Sequence, residues 1–409
     1  MPAKQTPLKL FLVAGEHSGD RLGGPLMAAL KKKARGVSFA GVGGEDMEAQ
    51  GMQSLFPLAD VAVMGPAAII PRLPRLIERV KRTARAAIAA SPDAVVIIDS
   101  PEFTHPIAKR IRRERPDIPI VDYVSPSVWA WRPGRARRMA RYVDHVLALL
   151  PFEPEAHRRL GGPPCTYIGH PLAQEVRRIR GADPKALAKR LRITKGRPVL
   201  VMLPGSRPNE VERLLPCFGE ALDILAAQGQ RPQTLLPAVA SLRPRIEELV
   251  SGWAEPPHLL GPGDKYAAFR LADAALAASG TVTLELALAE TPMVVGYRMD
   301  RLAWQLRFMV KARSIVLANL VLDENAVPEL LQHACNGPAI AKHLAPLLSD
   351  TTQRRKQAKA LKEASRRITA GPASPSAMAA DIVLKLARSG PGELTHIKRL
   401  RVPRDILPR

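Results

Sequence analysis

The sequence predicts an α/β protein built from two Rossmann-like, doubly wound domains facing a cleft. Three observations predict it. Short runs apolar on both faces alternate with longer helical patterns, as the strands of a parallel sheet covered on both sides do. The alternation breaks at a polar, basic stretch near 174–197 and then restarts. The chain, at 409 residues, exceeds one ordinary core and suits two domains of about 150 to 200 residues each.

In the first half, residues 8–14 (LKLFLVA) read as a strand ending in a Gly-rich turn, followed by a helix to about Lys33. A second strand falls at 38–42 (SFAGV). A third, at 94–98 (AVVII), stops at Asp99, and a fourth, at 119–124 (PIVDYV), precedes Ser125-Pro126. In the second half, 198–203 (PVLVML) runs into Pro204-Gly205-Ser206-Arg207 and a helix from about Glu210. Residues 233–238, 273–278 and 292–297 complete that set. Residues 338–388 read as helical, with a final helix packing back on the first domain and a loosely ordered basic tail beyond Ser389. The implied division is 1–175, 176–360 and a returning segment with its tail at 361–409.

Apolar residues make up 46% of the chain and charged residues 24%, which excludes disorder as the default. Lys and Arg number 61 against 38 Asp and Glu, leaving +23. Such a field attracts nucleic acid, acidic lipid headgroups or phosphorylated substrates, and a general arginine bias produces the same excess. Nucleic acid is not an expected partner, because no recognised module is present and aromatic residues do not interleave with the basic runs. Cys165, Cys217 and Cys335 form an odd, sparse set without a CxxC pair, which fits a reducing cytosol and argues against a disulfide framework or a zinc site. The first apolar run ends at Glu16, too soon for a signal sequence. No run reaches the roughly 18 residues that a spanning helix needs. If the protein meets a membrane, it lies on it.

Ligands of open parallel sheets bind beyond the carboxyl ends of the strands, and three segments put suitable residues there. The first is Gly15-Glu16-His17-Ser18-Gly19-Asp20. Its glycines allow close backbone approach, and the helix that follows favours an anion or a sugar hydroxyl. It is neither a Walker loop nor a GxGxxG fingerprint, and a plain capped turn fits it too. The second is Asp99, followed by Ser100-Pro101-Glu102-Phe103. A carboxylate on this turn is placed to act as a general base toward an acceptor hydroxyl, or only to cap the next helix. The third runs from Ala278 to Glu285. There the backbone N–H groups of Ser279, Gly280 and Thr281 face a pyrophosphate, and Glu285 faces ribose hydroxyls, unless this is simply a capped helix. Gly205, Ser206 and Arg207 repeat the arrangement, with Arg207 as a phosphate clamp. There is no Asp-x-Asp motif or His cluster, so no metal is expected and cations and dipoles carry the leaving-group charge.

Residues 72–85 (RLPRLIERVKRTAR) carry Leu73, Leu76, Ile77, Val80 and Ala84 on one helical stripe, with Arg72, Arg75, Arg79, Arg82 and Arg85 over the rest of the surface. A basic amphipathic helix beside Ile69 and Ile70 suits an anionic membrane surface. The same stripe also suits a sheet face. Two further basic runs, Lys109 to Arg115 and Arg132 to Arg141, fall in the same domain.

Taken together, the segments VAGEHSGD (13–20), GVGGEDM (41–47), VMGPAAII (63–70), DSPEF (99–103), YVSPSVWAWRPGR (123–135), LPFEPE (150–155), IGHPL (168–172), LPGSRPNEV (203–211), ASGTVTLELAL (278–288) and PMVVGYR (292–298) resemble the lipid-A-disaccharide synthase family. The resemblance runs collinearly from Leu8 to Leu386, and YVSPSVWAWR is specific to that family. It implies a GT-B fold and an inverting, metal-independent and cofactor-free transfer. The implied donor is UDP-2,3-diacylglucosamine and the implied acceptor 2,3-diacylglucosamine 1-phosphate. The products would be a β-1,6-linked disaccharide 1-phosphate and UDP.

By resemblance Asp99 matches the essential aspartate and Glu16 the first-loop glutamate. Arg207, Glu285 and Asn319 match residues around UDP, and Gly261 sits where the backbone meets uracil. Ser18, Arg132 and Arg135 are the acceptor-side candidates, with Arg132 and Arg135, beside the WAWRPGR motif, candidates for the acceptor phosphate, and Ile69, Ile70, Leu73, Leu76 and Ile77 are the membrane-contact candidates. The implied location is the inner face of the cytoplasmic membrane of a Gram-negative-type bacterium, with oligomerisation possible. His17, Glu45-Asp46, Ala68, Glu102 and Thr104 depart from the family's usual residues; all touch the acceptor side and leave the donor side intact. The alternative within the fold is another UDP-sugar enzyme, an epimerase or a peptidoglycan-type glucosaminyltransferase.

Overall fold

The computed structural model describes residues 7–62, 72–299, 312–371 and 374–390. One compact unit takes in the chain to Pro171 and again from Ala370, and a second runs from Leu172 to Thr369.

In the first unit β1 (Lys9–Ala14), β2 (Ser38–Val42), β3 (Ala94–Ile98), β4 (Ile120–Tyr123), β5 (His145–Ala148) and β6 (Cys165–Tyr167) form one sheet. Every pairing is parallel, in the order β2-β1-β3-β4-β5-β6. Side chains alternate across each strand, so β1 sends Leu10, Leu12 and Ala14 to one core and Phe11 and Val13 to the other. All five residues of β3 are buried, which explains why AVVII reads as an unbroken apolar run.

The second unit repeats this plan. Its strands are β7 (Val199–Leu203), β8 (Gln233–Pro237), β9 (His258–Leu260), β10 (Ala274–Ala278), β11 (Met293–Tyr297) and β12 (Glu329–Leu331), in the parallel order β12-β11-β10-β7-β8-β9. In both sheets the chain leaves the starting strand in one direction and later crosses to its other side. The switch point therefore lies between β1 and β3 in the first unit, and between β7 and β10 in the second. At such points the loops diverge and leave a crevice.

Two boundaries differ from those expected. The stretch 174–197 is not a joint; it forms helices Leu172–Gly181 and Pro184–Leu191 of the second unit, with Ile179 and Leu187 buried. Residue 360 lies inside helix Thr352–Thr369, whose Leu361 and Ala364 belong to a second-unit core, so that unit extends through Thr369. Among the described residues, helix Pro375–Ser389 is the one that returns. It lays Ala379, Ile382, Val383 and Leu386 on the first-unit core, and Lys33 pairs with Asp381 at 2.7 Å. The final helix of the sequence reading is thus found on the first domain.

Candidate active site

The register that pairs Ala14 with Ile98 brings the turns after β1 and β3 side by side. A Cβ at Gly15 would stand 2.3 Å from the Ser100 Cβ, so only glycine allows these turns to approach. Glu16 and Asp99 consequently meet at the first switch point. Asp99 takes φ +56 and Ser100 φ +44, sparsely populated values for residues with side chains. The turn is held by the Ser100 amide donating to Asp99 Oδ1 at 2.8 Å, and by the Thr104 hydroxyl donating to the Asp99 carbonyl at 2.8 Å. Ser18 donates to Asp99 Oδ2 at 2.8 Å. Burial, and next the Asp99 charge, raise the Glu16 carboxyl above its ordinary value. Asp20 plays no part in this pair. Its buried carboxylate accepts from the amides of Gly44, Asp46 and Met47 and fixes the turn after β2.

The YVSPSVWAWR segment follows β4. Its second residue, Val124, takes φ +89, a strained value for a β-branched residue. Its support comes from Glu153, which sequence reading missed. This buried carboxylate accepts from Leu149 N, Leu150 N and Trp129 Nε1, and burial pushes it up to about 7. The Trp129 ring stands edge-on to Phe152. Arg132, at φ +51, lays its guanidinium over Trp131 at 5.2 Å, and Arg135 pairs with Glu102 beside the Asp99 turn.

At the second switch point, Gly205 adopts φ +114 after β7, and Glu210 packs against it. Glu210 accepts from the Ser206 amide at 3.1 Å and pairs with Arg207 at 3.2 Å, while Tyr297 donates to it at 3.5 Å. Arg207 opens helix Pro208–Ala227, which starts slightly before the expected Glu210. After β10, a Cβ on Gly280 would meet open space beyond its own chain neighbours, with no other described atom within 4 Å. The Ser279 hydroxyl donates to the Ile315 carbonyl at 2.8 Å, and Thr281 is exposed.

Glu285, buried on helix Val282–Leu288, pairs with Lys265 at 2.5 Å and accepts from Tyr266 at 3.3 Å. Lys265 and Tyr266 follow Gly261 on the chain, so the segment expected at uracil and the carboxylate expected at ribose are physically linked. Neither partner was singled out in the sequence, though both lie just past a strand end. Asn319 is the remaining residue expected around UDP. It is fully buried, its Nδ2 donates to Val327 O and Glu329, and its Oδ1 accepts from Val327 N. Both amide hydrogens are therefore used within the unit. Among the described residues no cluster of His, Cys, Asp or Glu has the form of a metal site.

Helix Leu73–Ala90 divides the expected stripe. Val80, Ala84 and Ala87 are buried in the core and Leu76 packs on its edge, whereas Leu73 is 48% and Ile77 43% exposed. Of its arginines Arg72, Arg75, Arg82 and Arg85 are exposed, as expected, and Arg79 is half-buried. Arg75 and Arg79 pair with Asp60 at 2.6 and 2.8 Å, and Arg79 sits over the Phe56 ring at 4.8 Å. Arg82 donates to the Leu55 carbonyl. Ile69 and Ile70 lie outside the described residues. No described helix is long and apolar enough to cross a membrane.

Two doubly wound units, each with a polar crevice at its switch point, define the class as GT-B. The likeness extends to solved structures. The UDP-GlcNAc 2-epimerase of Neisseria meningitidis matches with a TM-score of 0.58 at 13% identity, covering 92% of this chain and 99% of that one. MurG of Acinetobacter baumannii matches with a TM-score of 0.56 at 13% identity, covering 93% and 100%. The particular family comes from sequence. The lipid-A-disaccharide synthetase family model matches residues 10–383. The lipid-A-disaccharide synthase of Bradyrhizobium diazoefficiens is 46% identical, covering 95% of this chain and 99% of that one. That of Rhodopseudomonas palustris strain BisB18 is 49% identical, covering 92% and 95%. The chain belongs to the lipid-A-disaccharide synthase family and is a glycosyltransferase of lipid A disaccharide synthesis.

Proposed function

We propose that the chain transfers diacylglucosamine from UDP-2,3-diacylglucosamine to 2,3-diacylglucosamine 1-phosphate. The acceptor's O6 hydroxyl loses its proton to Asp99 as O6 bonds to the donor's anomeric carbon. The bond from that carbon to the UDP oxygen breaks on the opposite face, UDP departs with the bonding electrons, and the new linkage is β-1,6. Glu16, whose carboxyl is raised by burial and by the Asp99 charge, stands second in line to accept the proton.

The donor diphosphate is assigned to the turns after β7 and β10, with Gly205, Ser206, Arg207, Ser279, Gly280 and Thr281 around it. Gly261 is assigned to the base and Glu285 to the ribose. Arg207 and Lys265 supply cationic charge toward the leaving nucleotide. Ser18, Arg132 and Arg135 are assigned to the acceptor. The observation that carries this reading is the meeting of Glu16 and Asp99 at the first sheet's switch point.

We place the protein peripherally on the inner face of the cytoplasmic membrane, with Leu73 and Ile77 reaching the acyl layer. The neighbouring arginines act there mainly by fixing the helix to the 55–60 segment. Product analysis with acylated and unacylated substrates, in the presence of chelator, tests the whole reading. The expected product is the β-1,6 disaccharide from acylated substrates only, at a rate that chelator leaves unchanged. Equal use of unacylated sugars, or epimerised donor, would contradict it.

A further inference from the structure

Glu102 and Arg135 form an unequal pair. The Glu102 side chain is 73% exposed, while that of Arg135 is only 16% exposed. Arg135 is thus built into the unit, and its carboxylate partner reaches it from solvent. Arg132 contributes a second positive charge. Burial pushes Glu102 upward, and the hydrogen bond and charge of Arg135, followed by the charges of Arg132 and His105, outweigh that and hold it below its ordinary range. Both arginines sit on a rigid support. Arg132 is fixed by its left-handed backbone and the Trp131 ring, and Arg135 lies on helix Gly134–Met139, whose Ala136 and Met139 are buried. Glu102 stands three positions beyond Asp99, so the pair adjoins the proposed base.

A planar guanidinium held in place, with a second arginine near it, suits the oxygens of a phosphate monoester. An exposed carboxylate across from it gains little from the pairing, because exposed ion pairs contribute little in water. We propose that Arg135 and Arg132 form a phosphate subsite that Glu102 occupies when no substrate is present, and that Glu102 thereby sets the affinity for the phosphorylated sugar. The ligand is the phosphate monoester of the acceptor; this rests on the acceptor-side reading above and adds a specificity-determining residue to it. When the phosphate arrives, Glu102 swings into solvent and Arg135 exchanges a carboxylate for a phosphate without moving.

Steady-state kinetics of Glu102→Gln and Arg135→Gln with acceptor carrying and lacking its 1-phosphate test the proposal. In Glu102→Gln, KM for the phosphorylated acceptor should fall about 2- to 5-fold, the range expected for release of an exposed ion pair. Its kcat, the donor KM and the KM for the unphosphorylated acceptor should not change. In Arg135→Gln, KM for the phosphorylated acceptor should rise about tenfold or more, with the unphosphorylated one unaffected. An unchanged or raised KM in Glu102→Gln overturns the proposal, as does an equal effect on both acceptors in Arg135→Gln. If the unsubstituted protein makes disaccharide from neither acceptor, the acceptor-side reading itself has failed, which the wild-type control reports separately. Thermal midpoints for both variants distinguish a folding defect from a binding effect.

Discussion

At Glu285 the carboxylate is held by Lys265 and Tyr266, two residues that follow the Gly261 turn. Removing the carboxylate takes away the proposed acceptor for ribose hydroxyls and also releases Lys265. Hydrogen bonds to charged groups contribute about 1.5 to 3 kcal/mol, equivalent to roughly 10- to 150-fold in binding. Glu285→Ala should therefore raise the Kd for UDP at least tenfold in titration calorimetry, with a smaller effect on the turnover of bound substrate. Unchanged UDP affinity would detach Glu285 from the donor site. Glu153 gives a pH prediction. Its folded value of about 7 lies above the ordinary 4.5, so the folded state holds a proton that the unfolded chain has lost. Its contribution is fully present below about pH 4.5 and disappears as pH rises through about 7. Relative to Glu153→Gln, the unsubstituted protein should lose thermal stability between pH 5 and 7.5; a constant difference across that range would contradict the assignment.

Helix Leu73–Ala90 shows at the level of an element how far a periodic pattern can be read. The 3.6-residue period locates the helix and its apolar stripe, but it cannot say where along the stripe the core ends. The structure puts that boundary at Leu76, leaving Leu73 and Ile77 exposed. Leu73→Ser with Ile77→Ser should abolish sedimentation with anionic vesicles while leaving the thermal midpoint near its original value. Adding Leu76→Ser should lower the midpoint as well. Unfolding of the double variant would assign the whole stripe to the core. The partners of the arginines were not legible for a related reason: their spacing gives the helix face, whereas Asp60 and Phe56, which hold Arg79, come from a segment that no periodicity predicts.

Across the whole molecule, the two doubly wound sheets were legible because fully buried strands such as AVVII and PVLVML are apolar on both faces. The strands not singled out, β5, β6, β9 and β12, are only three or four residues long, and three of the four lie toward or at sheet edges where fewer apolar positions are needed. The positions of Asp99, Glu16, Arg207 and Glu285 just past strand ends were equally legible, since in this architecture such positions follow from topology. Long-range side-chain pairings were not. The clamp of Asn319 on Val327 is not visible in any spacing, and Glu153 emerges only when β5 and the Trp129 loop are seen together. The proposed reaction divides the labour: proton acceptance is assigned to the first unit's switch point and nucleotide binding to the second's. The most direct test compares turnover and UDP affinity in Asp99→Asn. The account predicts a turnover loss of about 10² to 10⁴, the usual cost of removing a general base, with UDP affinity and folding unchanged. Near-normal turnover, or a matching loss of UDP affinity, would contradict it.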